Sequence, residues 1–414
     1  MSATEQAQSE PEQGAPHVGA AVSWDAFLST YLPALVLALG TGIVLPAVPT
    51  LAKSYDVSFG LASGVITSYL VGSLAGTLPS GWLIDRFGSR PVMIAGPVLA
   101  ALMALLVALS TNFTELLVLR FFNGVAAQMW LMARLAVISH GAAVGQRGRQ
   151  VSWMFGMDHT GKMSGPVVGG FIAAEWGIQA PFFAYVVLAL VALVPICFYA
   201  RGTASHKRAP HAKRSKRTMP LRLIVMPRIV YFGVALFAGL TRGPVQADLL
   251  HLYAAFAYQL GPQQIGYLAT AASVLTWPIG FIAGWMMDRF GRKVTMVPGF
   301  IGVTLSMASL GLSAFAHLSF AWYVALFLIG VCLQSLTGGS IQTVGTDVAP
   351  AEARGTFLGL YRFTGQGGAT VSPILFGLLA ESLGYGYSFL FVSASAAAVA
   401  YLLIRYVPET RSDG

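Results

Sequence analysis

The sequence predicts an all-α polytopic membrane protein, and three observations carry that expectation. Of 414 residues, 56% are hydrophobic and only 10% are charged, against roughly a quarter charged in a typical soluble domain. Apolar runs long enough to cross about 30 Å of hydrocarbon as a helix, roughly 20 residues each, recur along nearly the whole chain. The chain also repeats itself, since GWLIDRFGSR at 81–90 returns as GWMMDRFGRK at 284–293.

Taken in order, the candidate spans are 25–50, 57–83, 91–110, 115–139, 151–174, 181–200, 229–257, 265–287, 294–316, 320–343, 357–382 and 388–406. Residues 1–23 are polar and mildly acidic through Glu5, Glu10 and Glu12, without the charged-then-apolar order of a signal peptide, and are expected to form a disordered cytoplasmic tail. A first six-helix bundle is expected over 24–200, a basic cytoplasmic linker over 201–228, a second bundle over 229–406 and a cytoplasmic tail over 407–414. The turns leave no room for a separate catalytic domain. Cys197 and Cys332 each lie inside an apolar run, so no disulfide framework or thiolate metal site is expected and both read as small buried hydrophobes.

Lys and Arg set the orientation, because cytoplasmic loops retain positive charge. With the N-terminus inside, the inner loops and tails collect nearly all of them and the outer loops hold only Lys53. Both termini are therefore expected in the cytoplasm, in a bacterial inner membrane. The net charge of +9 concentrates at 206–217 between the sixth and seventh spans. There it reads as a linker near anionic headgroups rather than a nucleic-acid site.

The repeat extends beyond the loop. Pro166 and Gly170 return as Pro373 and Gly377, and Arg147-Gly148 as Arg354-Gly355, dividing the chain at the basic stretch into two six-span halves. Parallel repeats of this kind are one way a solute site is held between two rocking bodies. With these residues in view, the chain from about residue 24 onward resembles the major facilitator superfamily. Its loop signature Gly-x-Leu-x-Asp-Arg-x-Gly-Arg-Arg/Lys appears as Gly81, Leu83, Asp85, Arg86, Gly88 and Arg90, with Ser89 for a basic residue. It appears again as Gly284, Asp288, Arg289, Gly291, Arg292 and Lys293, with Met286 for Leu. The resemblance implies twelve transmembrane helices in two pseudo-symmetric bundles, working by alternating access. It also implies a cytoplasmic gate in which Asp85 pairs with an Arg or a helix N-terminus; a purely topogenic basic turn is the competing reading.

Charges inside spans are functional candidates because they are costly in lipid. Arg120 in LVLRFFNG resembles the family's fourth-helix Arg-x-x-Gln-Gly motif of proton-coupled members, with Asn123 in place of Gln. Arg134 follows 14 residues on, within about 40° of the same face and roughly 21 Å along the axis. A polar cavity face and two snorkelling side chains both fit. GKMSGPVVGG at 161–170 matches the core of the family's antiporter signature through Gly161, Gly165, Pro166, Gly169 and Gly170. That match favours export, while helix packing without directional meaning competes. Asp158, spaced i,i+4 from Lys162, can face it. Asp158 is the preferred proton carrier, with His159 beside it, unless the pair is structural. In the seventh span, Arg242-Gly243-Pro244 is expected to break the helix where it lines a cavity. Arg242 and Arg362 could hold an anionic solute group, or Arg242 could pair with Asp248.

No phosphate-binding loop, metal-ligand cluster or nucleophile–base set is apparent. The expectation is therefore a non-enzyme without cofactors, driven by a proton gradient. It would act as a monomer in the lipid bilayer, with no nucleic-acid partner, on a small-molecule substrate. Proton-coupled efflux of small organic molecules leads. An organic-anion or sugar-like transporter, by symport or facilitation, is the alternative, followed by a transport-inactive receptor or assembly factor.

Overall fold

Lipid tails are as apolar as leucine, so helices in a bilayer associate through close backbone approach and polar contacts rather than through escape from water. The computed structural model, which describes residue 24 and residues 27–141, 147–200, 228–246, 248–337, 340–350 and 354–407, is organised by such contacts. The expected N-terminal tail, nearly all of the linker and all but the first residue of the C-terminal tail lie outside these residues, as does the side chain of Asp288.

The described helices make twelve crossings. The first is a π-helical turn, Phe27–Tyr31, continued by α1 (Leu32–Val44) and α2 (Ala47–Lys53). Spans two to six are α3 (Phe59–Phe87), α4 (Ser89–Ala108), α5 (Phe113–Gly141), α6 (Arg147–Trp176) and α7 (Ala180–Tyr199). The seventh is α8 (Ile229–Gln246) plus α9 (Leu249–Ala257), followed by α10 (Pro262–Phe290) and α11 (Arg292–Phe315). The tenth is α12 (Phe320–Ser335) plus α13 (Ser340–Val348), and α14 (Arg354–Ser382) and α15 (Tyr385–Tyr406) complete the set.

Among the described residues, eight helices are long and apolar enough to cross a membrane on length and composition alone. The exceptions are instructive. Spans seven and ten are broken into shorter helices, while α6 and α14 occupy equivalent places in the two halves and carry many polar residues. Several helices also outrun their expected ends. The second expected span closes at residue 83 but α3 continues to Phe87, and α6 begins at Arg147 rather than 151. Hydropathy marks where lipid stops, not where hydrogen bonding stops.

The termini of the helices follow local chemistry. Ser58 Oγ accepts from the Leu61 N–H at 3.3 Å to start α3, and Asn112 Oδ1 accepts from Glu115 N–H at 2.8 Å to start α5. Between α3 and α4 the chain turns on Gly88 (φ 87°, ψ 168°), and between α10 and α11 on Gly291 (φ 98°, ψ 165°). Only glycine adopts that region without strain, which explains the second glycine of each loop signature.

Packing obeys the repeat. Span one lies against spans five and six, span two against four, and span three against four and six. In the second half seven lies against eleven and twelve, eight against ten, and nine against ten and twelve. The halves meet through five on eight and eleven on two, which are equivalent pairs. These contacts gather at the face opposite Phe27 and Val407, here the distal face. Phe59 packs edge-on to Phe256 and Tyr385, and Lys53 donates to the Ala255 carbonyl at 3.4 Å and to the Gln259 side chain. Toward Phe27 and Val407, on the proximal face, the same four helices expose Leu78, Phe155, Phe281 and Phe363. The bundle is thus closed distally and open proximally.

Candidate functional site

Two prolines show how the sequence prepares a cavity wall. Pro244 has no N–H for the Leu240 carbonyl four residues back, and Ser372 Oγ on α14 donates to that carbonyl at 2.5 Å. The helix therefore runs through the Gly243-Pro244 pair to Gln246, correcting the expected break there. The break falls at Asp248, held at a left-handed φ of 60° where α9 begins. Pro166 likewise frees the Lys162 carbonyl, which lies against Gly42; a methyl group on Gly42 would stand 3.1 Å from it. Ala369, four residues before Pro373, meets Gly243 in the equivalent place.

The antiporter-type motif divides its glycines between two partners. Methyl groups on Gly161 and Gly165 would come within 2.5 Å of the Leu35 carbonyl oxygen and 2.6 Å of Gly42 Cα, and Gly169 abuts the Ile43 carbonyl, all on span one. Gly170 instead faces Pro262 and Gln263 across the seam, where Gly266 in turn abuts Pro166. One stretch of α6 thus fixes its own half and forms part of the distal closure.

Asp158 does not face Lys162. Its carboxylate takes a bidentate pair from Arg134, Nη1 to Oδ1 at 2.9 Å and Nη2 to Oδ2 at 3.0 Å, tying α5 to α6. Arg134 is 3% exposed and its guanidinium lies 4.7 Å from the Trp130 ring centre. The expected cavity stripe through Arg120 and Arg134 is therefore not formed, because Arg134 is spent on a buried ion pair.

The central charges come from elsewhere. Arg120 on α5 sits over the Tyr69 ring of α3 at 5.0 Å, and its Nε is buried without a hydrogen-bond partner. Asp248, in the broken seventh span, lies within electrostatic reach of both Arg120 and Lys162. Tyr69 lies within reach of Arg120 and Asp248. Carboxylate and cations belong to opposite halves, so the cluster bridges them. The Asp248 side chain remains 39% exposed and Lys162 is exposed, which puts both on open cavity surface. Arg242 also projects an exposed side chain between buried neighbours, whereas Arg362 is exposed on α14 with no ion pair reaching it among the described residues. His159 Nε2 is buried and unpartnered beside Lys162. His251, which the sequence reading passed over, lies 3.9 Å from Asp248; only its i,i+3 spacing from an intramembrane acid could have flagged it.

The loop signatures work partly as clasps within each half. Arg90 donates to the Cys197 carbonyl at 2.7 Å at the end of α7, and Lys293 donates to the Ile404 and Val407 carbonyls at 2.9 and 3.0 Å at the end of α15. Each cation meets the negative end of a helix. Arg86 lies over Trp82 and Phe87, and Arg289 over Trp285 and Phe290. Asp85 is exposed, as are Cys197 and its neighbour Phe198, so Cys197 is not buried as expected.

The pseudo-symmetric halves and their seam narrow the fold, and comparison with known sequences decides it: a family model described as Major Facilitator Superfamily matches residues 31–252 and again 249–414. The chain belongs to the major facilitator superfamily. It is a membrane transporter by family, and its relatives within the superfamily include proteins named for drug resistance. The class B tetracycline resistance protein of Escherichia coli is 25% identical over 83% of this chain and 86% of its own length. Multidrug resistance protein 2 of Bacillus subtilis is 25% identical over 62% and 65%. Among solved structures, a D-xylose–proton symporter superposes with a TM-score of 0.75 at 18% identity, covering 93% of this chain and 98% of that one. That last likeness is one of fold alone. The Asp248 cluster lies between the two halves.

Proposed function

We propose that this transporter exports small organic molecules in exchange for protons, with Asp248 as the carrier of the proton. The observation that supports it is one carboxylate facing the opposite half's Arg120 and Lys162 across a cavity open on one side. The distribution of Lys and Arg favours a cytoplasmic proximal face, and on that reading the conformation is inward-open. A proton gradient across a bacterial inner membrane supplies the energy, and the chain works as a monomer. The names of its tetracycline and multidrug relatives favour efflux.

The assignment moves the carrier from Asp158 to Asp248 for a physical reason. Asp158 is held inside one half by two hydrogen bonds from Arg134, whereas Asp248 keeps open surface and faces the opposite half.

A second reading rests on the unpartnered Arg120 Nε and the excess of cations around Asp248. A solute cation competes with the proton for one carboxylate, which yields exchange. A solute anion binds best when Asp248 is protonated and Arg120 is released, which yields symport. By linkage the sign of the pH effect on binding separates them. Binding of tetraphenylphosphonium and of benzoate to purified protein, measured at acid and alkaline pH, is the test. Export by exchange predicts tetraphenylphosphonium binding that strengthens with pH and loses that dependence in Asp248→Asn. Benzoate binding that strengthens as pH falls would replace exchange with symport, and pH-independent binding of both would remove Asp248 as carrier.

A further inference from the structure

A proton carried by Asp248 must first reach it from the distal side. We propose that His251 relays it, forming a two-residue proton entry that Lys53 seals in this conformation; the proposal rests on Asp248 being the carrier.

His251 is 8% exposed and neither ring nitrogen has a hydrogen-bond partner, although it lies one turn beyond Asp248 on the distal side. A buried imidazole with both nitrogens unmet is costly unless something else compensates it. Its Nδ1 is 3.9 Å from Asp248 Oδ1, too far for a direct hydrogen bond and close enough for a slight rotation or one water to connect them. The ring rests edge-on to Phe327 of α12 at 5.5 Å between centres, an apolar wall that offers no competing acceptor. The charged groups facing Asp248 are Arg120 of α5 and Lys162 of α6, with the Tyr69 hydroxyl of α3. All of them are on the first half, so His251 is the titratable partner that stays with Asp248 when the halves move.

The seal follows from helix geometry. Ala255 is four residues after His251, so its carbonyl lies on nearly the same face of α9, about 6 Å further toward the distal surface. Lys53 of the opposite half donates to that carbonyl and to Gln259. Lys53, at the end of α2, is the one Lys or Arg expected on the outer side. Separating the halves distally pulls Lys53 away and wets the face that carries His251.

The transfer balances without a co-reactant. Neutral His251, protonated on Nδ1, takes a proton from distal water on Nε2. It releases the Nδ1 proton to Asp248 Oδ1, leaving a neutral carboxyl and a neutral imidazole of the other tautomer. That tautomer resets through water while the distal face is open. Proximally Asp248 meets cavity water directly, so His251 serves one side only.

Sidedness is therefore the test. The full chain is reconstituted in one orientation in liposomes and the protonated-carboxyl infrared band is followed after an acid jump on either side. His251→Gln is expected to slow the rise of the band from the distal side by about a hundredfold, the scale of a positioned acid–base group, and to leave the proximal rate unchanged. Lys53→Met is expected to speed the distal rise. Equal slowing from both sides would assign His251 a structural role and overturn the relay, as would an unchanged distal rate in His251→Gln. Asp248→Asn identifies the band: if the band survives there, the carrier reading itself fails, separately from the relay.

Discussion

Removing the Asp158 carboxylate tests whether the Arg134–Asp158 pair is structure or machinery. In Asp158→Ala the guanidinium of Arg134, 3% exposed, loses the acceptor of both its Nη groups, and its Nε already lacks a partner. Breaking a buried pair costs about 3–5 kcal/mol. Asp158 is 19% exposed and admits some water, and the Trp130 ring at 4.7 Å retains about 1 kcal/mol of cation–π attraction. The expected loss is therefore about 2–4 kcal/mol, read from chemical unfolding in mild detergent by tryptophan fluorescence. Arg134→Met with Asp158→Leu removes both charges and should return to within about 1 kcal/mol of wild type, because the desolvation penalty disappears with the attraction. Transport adds a second reading: the double variant keeps pH-dependent exchange if the pair only joins α5 to α6. A double variant as unstable as the single one would refute the energetic argument, and a stable double variant without proton coupling would return the carrier role to Asp158.

Four further perturbations separate packing from gating. Gly165→Ala sets a methyl group 2.6 Å from Gly42 Cα inside one half, so unfolding should show a loss of about 1–3 kcal/mol from overpacking. Gly170→Ala sets one 2.9 Å from Gln263 Cα across the seam, so stability should hardly change while cysteine labelling of distal positions rises. Gly88→Ala places a side chain at φ 87°, which should cost about 1–3 kcal/mol of strain and lower the unfolding midpoint. Ser372→Ala strips the donor from the Leu240 carbonyl; the loss of about 1–2 kcal/mol should largely vanish when Pro244→Ala restores the intrahelical bond, measured as a double-mutant cycle.

The elements legible in the sequence were those whose cause is local. Apolar length gave the crossings, the repeated signature marked the two loops that turn on Gly88 and Gly291, and small residues around Pro166 gave the tight approach to span one. The partner of Asp158 was not legible, because i,i+4 spacing pointed to Lys162 while Arg134 sits 24 residues away on another helix. The break of span seven was misplaced for a related reason. A Gly-Pro pair breaks a helix only if the freed carbonyl goes unmet, and Ser372, 132 residues on, meets it. The Asp248 cluster draws on both halves, so no window of sequence contains it.

The seam between the halves carries a history. Five against eight and eleven against two are one contact made twice about an axis along the membrane normal, which is the geometry of an isologous dimer. A single ancestral half would have closed this surface with a second copy of itself, and gene fusion then needed only a tether. Once the tether existed, the copies could diverge, so that one kept the acid and the other the cations.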